Sequence, residues 1–194
     1  MRLLLPFALV LSMSSMEIER AQQVARGRAS EREQFHRRYV VNLPDPAVTQ
    51  IEVITEFRRL VLTTEEHILR GDWLFSRSLR LAEEALRSSR GLVGLKASIR
   101  FNPLNAYVAP PAYVLAIGVT PGTTGSLAQV DTQLSAQYST PFRGPGKKMV
   151  TSLVGAVIES SLPADRVGQT TRVVGVMLDG KEAARTIFDF ARLD

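Results

Sequence analysis

The chain has 194 residues, of which 45% are hydrophobic and 22% charged, with a net charge of +5 and no cysteine. That is room for one domain plus a tail. It argues against wholesale disorder and excludes disulfides, thiolate nucleophiles and cysteine-ligated zinc or iron–sulfur sites. The charge is uneven, since residues 1–100 carry 16 Lys+Arg against 12 Asp+Glu while residues 101–194 carry 8 against 7, which is poor support for a general nucleic-acid surface.

The chain opens MRLLLPFALVLSMSSMEIER. Arg2, the apolar run Leu3–Leu11 and the small polar residues after it follow the order of a secretory signal, with cleavage expected after Ser14 or Ser15. Pro6 interrupts the run, which is also well short of the roughly 20 apolar residues of a membrane span. Residues 1–15 are therefore expected to be a cleaved signal peptide in preference to a retained anchor, and the protein to be exported to the periplasm or cell envelope. Residues 16–46 are dense in Arg, Glu and Gln and predict a charged linker or helix, solvated rather than packed. Their arginines could also meet anionic headgroups, an attraction weakened by four interspersed glutamates. The prolines of NLPDP mark a boundary, so a folded domain is expected over 47–194.

Within that domain VTQIEVITEF (48–57) has the alternation and β-branching of a strand. The period then changes. Leu60, Val61, His67 and Ile68 predict a helix closed by Gly71, and Asp72 a cap for a second helix with a stripe of Phe75, Leu79, Ala82 and Leu86. From residue 92 the code is period two through LVGLKASIRF, AYVLAIGV, LAQVDTQLSAQY, MVTSLVGAVIES, TTRVVGVML and EAARTIFDF. Asp179-Gly180 predicts a tight hairpin that sets Val176 against Ala183 and Val174 against Arg185. The fold class is mainly β (α+β by content): an antiparallel β-sandwich or barrel of about seven strands, with a two-helix insertion (about 58–90) after the first.

Chemistry-bearing motifs are few. In RGPGKKM, Pro141 and Lys148 stand where a phosphate-binding loop requires Gly and Ser/Thr, leaving Arg143, Lys147 and Lys148 as a candidate basic loop. His36 and His67 share no metal-binding spacing, and no nucleophile elbow is present. Asp131, Glu159 and Asp189 sit in predicted strands and supply only a scattered acidic site. The stretch FNPLNAYVAPPAY has rigid bends around amide and aromatic groups, making Asn102, Asn105, Tyr107 and Tyr113 a candidate interaction loop. No catalytic residue, metal or cofactor is assigned. The expected function is an exported or membrane-associated, non-catalytic binding or structural module with protein partners, for example an accessory subunit of a membrane complex; membrane contact would run through residues 1–40. The alternatives are a hydrolytic or carbohydrate-active enzyme and, last, an intracellular nucleic-acid binder.

Overall fold

A computed structural model describes residues 13–102, 109–119, 127–143 and 148–193. In chain order these form α1 (Ser15–Ala25), α2 (Ala29–His36), β1 (Val40–Asn42), β2 (Val48–Ile54), α3 (Glu56–Leu69), α4 (Leu79–Leu86), β3 (Leu92–Arg100) and β4 (Tyr113–Val119). There follow β5 (Ala128–Gln129), β6 (Gln133–Tyr138), β7 (Phe142–Arg143), β8 (Met149–Val150), β9 (Leu153–Pro163), α5 (Ala164–Val167), β10 (Thr171–Leu178) and β11 (Lys181–Asp189). The predicted leader lies outside the described residues except for its last three positions.

The period-two segments build two antiparallel sheets, ordered β1-β2-β3-β9-β6 and β11-β10-β4-β5, with β7 and β8 as a separate ribbon. Alternation places one side chain in two on a common inner face. Ile51, Val53, Leu95, Ala97, Ile99 and Ile158 from the first sheet join Leu115, Val174, Val176 and Phe188 from the second in one buried core. The arrangement is sandwich-like and neither sheet closes, so the barrel alternative drops out. At Gly155 the strands approach so closely that a Cβ would collide with the Ile99 carbonyl oxygen.

Several boundaries move for local reasons. The first strand stops at Ile54 because the Thr55 hydroxyl accepts the Arg58 amide at 3.2 Å and caps α3, turning Glu56 and Phe57 into helix. The second helix starts at Ser78, not Asp72. The Ser78 hydroxyl accepts the Leu81 amide, whereas Asp72 accepts the Phe75 amide ahead of one 3₁₀ turn, Phe75–Arg77. LAQVDTQLSAQY is two strands in different sheets. At its corner the Thr132 hydroxyl donates to the Val130 carbonyl and accepts the Leu115 amide. In the last hairpin Leu178 pairs with Lys181 across Asp179 and Gly180, both at positive φ (51° and 76°). A bulge at Ala183 then sets Val176 against Ala184 and Val174 against Thr186, one residue away from the predicted register.

The larger departure is the neck. A solvated linker is not what residues 16–46 form: they make two helices and an edge strand. Ile18, Ala21, Gln22 and Ala25 form a buried stripe on α1, and Phe35 and Tyr39 are buried after it. With Phe57, Leu60, Val61, Phe75, Ala82 and Leu86 they make a second core. Half of the stripe, Ala21 and Ala25, is alanine, which lets α1 approach α3 and α4 closely. The Gln22 amide donates to the Phe75 and Ser78 carbonyls at 2.8 and 3.2 Å.

Candidate functional site

Two features stand out where the helices meet the sandwich and each other. The first is the turn after α3. Gly71, at φ +83°, lets the chain reverse; its amide donates to the Ile68 carbonyl and that of Asp72 to the His67 carbonyl, the paired bonds of a glycine helix terminus. Asp72 then locks the turn, one carboxylate oxygen lying 2.8 Å from His67 Nδ1 and the other accepting the Phe75 amide. These bonds, led by the one to His67, hold its carboxyl below the usual carboxylate range. His67 stacks on Phe75 with ring centroids 3.9 Å apart, and the Ser76 hydroxyl donates to the Trp73 carbonyl. This rigid frame presents three large apolar side chains to solvent: Leu69 (82% exposed), Trp73 (55%) and Leu74 (71%). Arg70 and Arg77 flank them.

The second feature is a cleft of about 680 Å³ between the N-terminal ends of α1 and α3, the start of β3, α5 and the C-terminal turn. Its apolar walls include Met13, Phe57, Phe190 and Leu193, and its charged groups include Glu17, Arg20, Glu56 and Arg90. A smaller pocket of about 340 Å³ shares Arg20 and Phe57 with it, the guanidinium lying 5.4 Å above the ring. Glu17 accepts both the amide and the hydroxyl of Ser14 at 2.7 Å, and these bonds hold its carboxyl below the usual range. A carboxylate held ionised suits pairing with a cation rather than proton donation. Glu56 receives the Gly91 amide at 3.4 Å on one oxygen, while its other oxygen is buried without a hydrogen-bond partner. The cleft can receive an amphipathic group.

The sequence-predicted residues are scattered. Asn102 is exposed at the end of β3, whereas Tyr113 is a correction: as the first residue of β4 it points inward, its ring 6.5 Å from Phe101, and it belongs to the core. Asn105 and Tyr107 lie outside the described residues. Arg143 and Lys148 are exposed on β7 and beside β8, and Lys147 lies outside the described residues. His36 binds Glu65 through Nε2 at 3.1–3.2 Å between α2 and α3, away from His67. Glu159 pairs with Lys96 at 3.7 Å and Asp189 with Arg192 at 3.0 Å, and neither these nor Asp131 lines the cleft. Periodicity puts Phe75 and Leu79 on one continuous stripe and so passes over the exposed tip between them and α3. The signal was Trp73 directly after Gly71-Asp72, in a turn.

Among the described residues no group of three or more His, Asp or Glu side chains could hold a metal ion, and no helix is long and apolar enough to cross a membrane. No protein-family model, curated protein or solved structure matches this chain.

Proposed function

We propose that the chain is a non-catalytic binding or structural module, exported or membrane-associated, that docks a protein partner through the α3–α4 tip as an accessory subunit of a membrane complex. The observation that carries this reading is the exposure of Leu69, Trp73 and Leu74 on a turn locked by Asp72, His67 and Gln22. Tryptophan with neighbouring arginine is the composition of binding hot spots, and a rigid frame spares the ordering cost that a mobile loop would incur on docking. An acid–base enzyme would call for a cleft carboxylate moved upward. Glu17, in the cleft, is instead moved down by its bonds to Ser14.

The test is the native size of the full chain in membrane and soluble fractions, compared with the double variant Trp73→Ser/Leu74→Ser. Both side chains are exposed, so melting should change by no more than about 0.5 kcal/mol. The wild-type chain should migrate in an assembly larger than itself, and the variant as the free chain. Identical migration of the two would overturn the reading. An intact mass from each fraction tests export at the same time, by the presence or loss of the leader.

A further inference from the structure

We propose that β11 is a self-pairing edge: two copies of the chain join through it, antiparallel about a two-fold axis at Ile187, so that the four-stranded sheet continues into that of the second copy. The two large sheets end in β1, β6, β5 and β11. Of these β11 is the longest, at nine residues, and it hydrogen-bonds only to β10. The ladder shows which of its groups are free. The Leu115 amide donates to the Thr132 hydroxyl and its carbonyl accepts the Val130 amide, so this residue of β4 faces away from β10. Val176, paired with it, therefore turns its own groups to β11, as do Val174 and Arg172 at the same phase. Their partners Ala184, Thr186 and Phe188 face back. That leaves the amides and carbonyls of Arg185, Ile187 and Asp189 pointing outward, without a backbone partner among the described residues. An uncovered edge of this kind is a template for another strand.

The side chains along that edge select a second copy. A two-fold axis normal to the sheet keeps each residue on its own face, so a residue on the axis meets itself and the others meet residues of the same phase. With the axis at Ile187, Arg185 lies opposite Asp189 of the second copy, and Asp189 opposite its Arg185. All of these residues face outward, so each pair exchanges both backbone bonds. Opposite charges meet on both sides of the axis, and Ile187, 50% exposed in the single chain, is covered by its own counterpart. The neighbouring registers do worse. An axis at Arg185 sets two guanidinium groups against each other, and one at Thr186 sets Arg185 against Ile187. In the single chain Arg185 and Asp189 make ion pairs only with near neighbours, Glu182 at 3.3 Å and Arg192 at 3.0 Å, and such surface pairs exchange at little cost. The pattern closes on itself after two copies and leaves no free edge for a third at this strand.

One strand-to-strand ladder is a small contact, in the class of weak and transient associations, so at the concentrations of a cell extract the chain is single and the tip experiment above is unaffected. The purified full chain would be followed by sedimentation velocity over a wide range of concentrations, with amide exchange measured at both ends of it. The expected result is a monomer–dimer equilibrium. As the dimer fills, the amides of Arg185, Ile187 and Asp189 should exchange more slowly, while those of Thr186 and Phe188 are slow throughout. Arg185→Asp and Asp189→Arg should each weaken self-association by about tenfold or more, because like charges then meet on both sides of the axis. Mixing the two variants opposes unlike charges again and should restore the dimer. Asp189 also accepts the Ala191 amide, so Ile187→Lys, at a half-exposed site, supplies a loss of association that does not touch that turn. Trp73→Ser/Leu74→Ser should dimerise as the native chain does, so that either reading can fail without the other. A chain that is monomeric at every concentration, or a mixture of the charge variants that associates no better than either alone, would overturn the proposal. So would unchanged association of Ile187→Lys, growth beyond the dimer, or slowed exchange confined to other segments.

Discussion

Ser14 and Glu17 are bound to each other in both directions. The serine hydroxyl accepts the Glu17 amide at 3.3 Å, and the glutamate accepts the serine amide at 2.7 Å. This reciprocal cap satisfies two amides at the start of α1 and places a negative charge at the positive end of its dipole. The folded pKa of Glu17 is depressed, so the unfolded chain binds a proton more readily. The contribution is present above the ordinary carboxylate range and is lost as pH falls through the folded value. Ser14→Ala should cost about 1 kcal/mol at neutral pH. The gap between variant and wild type should narrow in acid, as read by urea unfolding at both pH values; a gap that does not change with pH would show that Glu17 has no part in it. The pattern S-x-x-E was visible in the sequence, but the same serine also fits the exit of a secretory leader. Cleavage after Ser14 would remove the cap. Tyr113 is the opposite case: an aromatic beside two prolines reads as a loop residue, and only the pairing of β4 with β10 turns it inward.

At the level of elements, the buried Arg58 ties α3 to the sheet. Arg58 donates through Nη1 to the Val53 carbonyl and through Nη2 to Glu52 at 2.9 Å, and its guanidinium lies 5.2 Å from the centroid of the Tyr39 ring. Truncating it leaves a half-buried carboxylate and carbonyls without donors. Arg58→Ala should therefore cost about 3–5 kcal/mol, and Arg58→Met should cost less if Glu52→Gln accompanies it. Equal losses for the two designs in thermal unfolding would mean that packing, and not the charge, holds α3. Periodicity made α3 legible and gave the inner faces of β2 and β3 correctly. It could not reveal that residues 127–138 change sheets, because the alternation of Val130, Thr132, Leu134 and Ala136 runs through the corner without interruption. The apolar tip stayed hidden for a related reason. Phe75 is buried and Trp73 and Leu74 are not, and only the glycine-terminated turn and the break at Ser78 separate them.

For the whole molecule, the two cores meet at Leu193, which packs against both, and at Arg58. Composition concealed the second core. Residues 16–46 offer few large apolar side chains, and half of the α1 stripe is alanine, which registers weakly in any hydrophobic pattern but packs at almost no exposure. The sequence places the domain boundary at Ala47 and expects a fragment from there to fold alone; the packing argues otherwise. Removing residues 1–46 strips β1 from its sheet and takes Ile18, Phe35 and Tyr39 from the second core, uncovering Phe57, Leu60, Val61, Phe75 and Leu86. Each of these contributes about 1.5–3 kcal/mol when fully buried, a large share of the 5–15 kcal/mol that stabilises a typical domain. Fragment 47–194 should keep the sheet signal in circular dichroism, because the sandwich core is intact apart from one short edge strand. It should bind an apolar dye and melt well below the full chain. A fragment that unfolds cooperatively at the full-chain temperature without binding dye would show that the helical layer rests on the sandwich without stabilising it, and the cleft between them would then be a seam between independent units.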